Sequence, residues 1–72
     1  MVFGDVFFVD LFSTADGYQI AEGPFDTLDQ ALAAFEALNP QLRYRVRGPA
    51  NLMYAESNGG NVFRYHPPRH FQ

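Results

Sequence analysis

The chain has 72 residues, no cysteine and a formal net charge of −3, which excludes a disulfide framework and a thiolate metal site and speaks against a general polyanion binder, since such domains are normally basic overall. A chain of this size buries only roughly 60% of the surface its unfolded form exposes, but twelve aromatic residues, eight of them Phe, give it enough apolar side chain for a compact core. The charges are divided along the chain: residues 1–38 hold seven acids and no Lys or Arg, whereas residues 39–72 hold five arginines and only Glu56, a contrast of −7 against +4.

Met1-Val2-Phe3-Gly4-Asp5 lacks a positively charged start, and the longest apolar run that follows, Val6 to Val9, is four residues, so neither an export signal nor a membrane span is expected. The lack of Cys fits a reducing compartment, and the cytoplasm is the default location. Asp5 to Phe12 has the Val and Phe content of a strand, with Phe7, Val9 and Leu11 on one side and Val6, Phe8, Asp10 and Phe12 on the other. Both sides are largely apolar, which suits a central strand. Asp16-Gly17 supplies turn chemistry tolerant of positive φ, and Tyr18 to Glu22 returns as the second strand of a hairpin that Gly23-Pro24 ends.

Thr27-Leu28-Asp29-Gln30 has the spacing of a capping box and predicts a helix start, with Asp29 where the helix dipole favours an anion. Leu28, Ala31, Leu32, Phe35 and Leu38 then form a single apolar stripe, and Asn39-Pro40 closes the helix. From Leu42 to Arg47 apolar residues alternate strictly with Arg43, Arg45 and Arg47, the period of a strand with one buried face. Leu52 to Ser57 and Val62 to His66 are two further strands joined by the hairpin signal Asn58-Gly59-Gly60-Asn61. The expected domain spans residues 1–66 in the order ββαβββ, and Pro67-Pro68 turns residues 67–72 into an extended Pro-rich tail.

The expected fold is therefore α+β: an antiparallel sheet of four to five strands with one helix packed on one face. If Leu42, Tyr44 and Val46 face that helix, the three arginines occupy the open face, where the period of the first strand also places Phe8, Asp10 and Phe12. Arg43 to Arg47 would span about 13 Å. All the cations being Arg favours bidentate and stacking contacts with a partner, while Asp5, Asp10 or Glu22 on neighbouring strands would neutralise them within the chain.

Other chemistry is thinly represented. His66 and His70 are separated by Pro67-Pro68 and would stand about 12 Å apart in an extended segment, too far to share a metal ion. No nucleophile elbow, phosphate loop or zinc-type motif is present, and a small chain leaves little room for a ligand-sized pocket, so neither an enzyme nor a cofactor is expected. The expectation is a non-catalytic protein-interaction module with Phe8, Phe12, Arg43, Arg45 and Arg47 as its contact surface, for a protein partner or for a second copy in a homodimer. Two alternatives accompany it. One is single-stranded nucleic-acid binding by the same arginines and rings, with Phe63 and Tyr65 added. The other is a small acidic inhibitor of a nucleic-acid enzyme, of the phage-encoded type, acting through Asp26, Asp29 and Glu36.

Overall fold

The computed structural model describes residues 6–70, so Asp5 at the expected start of the first strand and Phe71-Gln72 at the end of the tail lie outside the described residues. Five strands and one helix follow the expected order: β1 (Phe7–Ser13), β2 (Gly17–Phe25), α1 (Leu28–Glu36), β3 (Tyr44–Arg47), β4 (Leu52–Asn58) and β5 (Asn61–His70). The strands form one sheet in the order β2-β1-β3-β4-β5, antiparallel throughout. The fold is α+β, with α1 packed over β1, β2 and β3.

The position of β1 between β2 and β3 explains why both its sides are apolar. Val9 faces α1 and joins Tyr44, Val46 and Ala55 from the sheet and Ala31 and Phe35 from the helix in the buried core. Phe7, Leu11, Phe25, Leu28, Leu32 and Leu38 pack around it, so the predicted helix stripe is the stripe that is buried. Thr27 caps the helix by accepting from the Gln30 N–H at 3.2 Å. The return bond of the box goes one residue further back than the motif implies, to the N–H of Asp26 at 3.1 Å.

Gly48, directly after β3, is buried because two rings close over it. A Cβ there would stand 2.7 Å from a Tyr54 ring atom and 2.9 Å from the Phe7 ring. Those rings meet edge to face at 5.6 Å.

Both edge strands are longer than the sequence implies. β2 continues through Gly23-Pro24 to Phe25 because two irregularities absorb the extra residues: Ala21 is skipped between the Asp10–Ile20 and Val9–Glu22 pairs, and Gly23-Pro24 lies between the Val9–Glu22 and Phe7–Phe25 pairs. Gly23 has φ +123°, and a Cβ would meet the Phe8 ring at 3.0 Å, so only glycine fits this close approach. β5 likewise runs past Pro67-Pro68, which were expected to stop it. Ala55 pairs with Arg64 and Met53 with Arg69, so residues 65–68 stand opposite Tyr54 alone and bulge away from the ladder before Arg69 and His70 rejoin it. An edge strand tolerates proline where no inward N–H is needed. Leu42, expected to face the helix, precedes β3 and is exposed.

Candidate functional site

The antiparallel register builds the sheet face opposite the helix. Phe8 pairs with Arg47 and Asp10 with Arg45 between β1 and β3, while Phe12 pairs with Tyr18 and Asp10 with Ile20 between β1 and β2. Paired residues share a face. One row therefore crosses the whole sheet as Ile20, Asp10, Arg45, Glu56 and Phe63. Its centre alternates acid, base, acid, and both ends are apolar and exposed, Ile20 at 58% and Phe63 at 47%.

All five residues proposed from the sequence, Phe8, Phe12, Arg43, Arg45 and Arg47, lie on this face and in one network. Asp10 is at its centre and only 2% exposed. Its Oδ2 accepts from Arg45 Nε at 2.9 Å and from Arg47 Nε at 2.7 Å, and its Oδ1 accepts from Arg47 Nη2 at 3.3 Å. Each guanidinium also lies over a ring: Arg47 over Phe8 at 4.6 Å, Arg45 over Tyr18 at 3.6 Å, and Arg43 between Phe12 at 4.7 Å and Tyr18 at 5.8 Å. Phe12 and Tyr18 meet edge to face at 5.2 Å. The open face is thus roofed by its own arginines, held between a buried carboxylate below and aromatic rings beside them.

This arrangement separates the arginines into two kinds. Arg45 and Arg47 are committed to Asp10, as one of the two sequence readings anticipated. Arg43 has ring contacts but no carboxylate partner among the described residues, and neither has Arg69, which lies over Tyr65 at 5.3 Å. The face carries four arginines against Asp10 and Glu56, a balance of +2. The charge division along the chain maps onto the faces only in part: Asp29 and Glu36 belong to the helix on the other side, but Asp10 lies on the open face and Arg64 on the helix side with Glu36.

Tyr18 is a part of the face that the sequence reading does not single out, while Tyr65, named there only for nucleic-acid binding, also lies on it. The Tyr65 hydroxyl donates to Glu56 Oε1. That bond, helped by partial burial and the Glu56 charge and opposed by Arg69, holds the Tyr65 phenol above the ordinary tyrosine range. Because the folded-state value is the higher one, the unfolded chain releases this proton first as pH rises. The contribution is complete below the ordinary tyrosine range and is lost as pH climbs through the folded value. Melting curves at increasing alkaline pH are expected to fall less steeply for Tyr65→Phe than for the natural chain, and equal slopes would show that Glu56 does not hold the phenol.

A groove of about 520 Å³ lies on the helix side, a larger concavity than the chain length suggests. Because α1 packs mainly over β1 to β3, the groove stays open over β4 and β5, between Leu38, Pro40 and Val62, with the exposed Glu36–Arg64 ion pair at its rim. Among the described residues no group of three or more His, Cys, Asp or Glu side chains is placed to hold a metal ion, and no helix is long and apolar enough to cross a membrane.

Fold and site together define a small α+β domain with an arginine-roofed open sheet. No known protein family, curated protein or solved structure matches the chain.

Proposed function

We propose that this domain is a non-catalytic interaction module whose open sheet face docks an acidic protein surface. The observation that carries the proposal is the arginine layer itself: guanidinium planes pre-positioned on rings above a buried carboxylate, with a +2 balance and exposed apolar residues at both ends of the central row. Arginines already fixed in one geometry lose little side-chain freedom on binding, so more of each contact is realised as affinity. Ile20 and Phe63 supply the apolar contacts that flank a polar centre.

Two features favour protein over single-stranded nucleic acid. The rings that bases would stack on, Phe8, Phe12 and Tyr18, already lie against guanidinium groups. Arg45 and Arg47 are engaged by Asp10, which leaves Arg43 and Arg69 as the arginines most open to phosphates on a chain of net charge −3. A second copy is also a poorer occupant. The basic open face and acidic helix face of one chain attract head to tail, a heterologous contact that grows into an open chain of copies unless its rotation closes a ring.

The test is affinity capture from host lysate followed by direct titration of the captured protein, comparing the natural chain with Arg43→Glu combined with Phe63→Ser. These positions are exposed and leave the Asp10 ion pairs with Arg45 and Arg47 intact, whereas reversing Arg45 and Arg47 as well would disturb the fold. A loss of about tenfold or more in affinity, with binding that weakens as salt is added and survives nuclease treatment, is the expected result. Unchanged affinity in the double variant, or capture abolished by nuclease, would overturn the proposal.

A further inference from the structure

We infer that two copies of this chain pair through the β2 edge, antiparallel about a two-fold axis at Gln19, to make one continuous ten-stranded sheet. This contact uses a strand edge; it shares Ile20 with the surface proposed to dock a partner and leaves Arg43 and Phe63 uncovered. The two outer strands of the sheet are β2 and β5, each with one side of its backbone unpaired by a neighbouring strand among the described residues. Unpaired strand edges recruit other strands unless they are blunted by bulges, prolines or charges.

The two edges are blunted to different degrees. β5 is interrupted by the four-residue bulge of residues 65–68, which contains both Pro67 and Pro68, so no straight partner can follow its whole length, and its in-register run before the bulge, Asn61 to Arg64, carries a charge at Arg64. β2 has its irregularities confined to Ala21 and beyond. From Gly17 to Ile20 it pairs with β1 in unbroken register, Ser13–Gly17, Phe12–Tyr18, Leu11–Gln19 and Asp10–Ile20. Gly17 to Ala21 carries no charge and no proline, and Ile20 within it is the most exposed large hydrophobic residue described, at 58%. None of the usual protections covers this segment.

Self-pairing fits that segment better than a strand of arbitrary sequence. A two-fold axis at Gln19 opposes Gln19 with its own copy and Tyr18 with Ile20 of the other chain, twice. Tyr18 and Ile20 lie on the open face, so both crossed pairs join an aromatic to a β-branched side chain and cover the exposed Ile20. The small residues Gly17 and Ala21 meet at the ends of the run, where Ala21 is the first residue of the β2 irregularity. Because a two-fold contact uses the β2 edge of both copies, it closes at two copies. The paired run is short, so the dimer forms in a concentration-dependent equilibrium.

Sedimentation velocity over a range of protein concentrations, together with single-cysteine cross-linking, tests the inference; the natural chain has no cysteine to interfere. Across an antiparallel pair the Cα atoms stand about 4.5–5.5 Å apart, within disulfide reach. Gln19→Cys is therefore expected to oxidise to a covalent dimer, while Asn61→Cys on β5 stays monomeric. Ile20→Lys, a change at an exposed position that leaves the core untouched, is expected to weaken association by about tenfold or more. A monomer at every concentration, assemblies that grow beyond two copies, or a dimer that neither responds to Ile20→Lys nor cross-links through Gln19→Cys would each overturn the inference.

Discussion

Replacing Asp10 by alanine is expected to destabilise the domain by about 3 kcal/mol. The carboxylate is almost fully buried and anchors two guanidinium groups whose side chains are 14% and 26% exposed. Removing one member of a buried ion pair typically costs 3–5 kcal/mol, because the remaining charge is left without compensation. The lower end applies here, since Arg45 and Arg47 sit at the rim of the network and turn partly toward water once released. For 72 residues the total stability to be expected is roughly 4–10 kcal/mol, so the loss is a large share of it. It corresponds to a fall in melting temperature of roughly 10–25 °C.

Two further variants separate charge from packing. Asp10→Asn keeps an acceptor and the side-chain volume, so it is expected to lose less than Asp10→Ala. The triple change Asp10→Val, Arg45→Met and Arg47→Met removes the charges together and is expected to regain most of the stability, because replacing a whole buried ionic cluster by apolar side chains of similar volume is often neutral. Denaturant unfolding of the four proteins checks the series. A loss below about 1 kcal/mol for Asp10→Ala would mean that the rings alone hold the arginines in place.

The importance of Asp10 was half legible in the sequence. One acid in an otherwise apolar strand, on the side opposite Val9, marks a position that must find cationic partners if buried. Strict alternation from Leu42 to Arg47 shows where those partners are. What one strand cannot reveal is adjacency: Asp10 meets both Arg45 and Arg47 only because β1 and β3 are neighbours, a consequence of the helix crossing over the sheet between β2 and β3. Tyr18 was read as the start of a strand and gains its role from the same register, which brings its ring to Arg45. The local signals, by contrast, carried through. The Thr27–Gln30 cap and the Gly59-Gly60 hairpin, with φ values of 60° and 92°, depend on residues close in the chain.

The strand ends were misjudged where proline was treated as a stop. Pro24 and Pro67-Pro68 all fall on edge strands at irregularities in pairing, where a missing N–H breaks no ladder bond and the chain can rejoin its partner afterwards. Which strands are edges follows from topology alone. The same information distinguishes the bulged β5 edge from the straight portion of β2, and so the inference about pairing between copies was out of reach from sequence.

Ser57→Ala is expected to destabilise the domain by about 2 kcal/mol and to loosen Arg43 as well. The Ser57 side chain is buried, accepts from the Tyr44 N–H at 3.2 Å and donates to the Leu42 carbonyl at 2.8 Å. One hydroxyl thus serves two backbone groups on either side of Arg43. Alanine would leave both without this partner, and each unsatisfied buried group costs about 1–3 kcal/mol before local relaxation. The Arg43 carbonyl accepts from the Phe12 N–H at 2.9 Å, so this short segment is pinned by β4 on one side and by β1 on the other. With the Ser57 pin removed, the Arg43 guanidinium is no longer held as firmly over Phe12 and Tyr18. Hydrogen exchange is the decisive readout: the Tyr44 amide should lose more protection than the amides of β4 and β5. A uniform loss across the sheet would mean that Ser57 supports only global stability. A local loss accompanied by weaker partner binding would tie this buried hydroxyl to the proposed function of the opposite face.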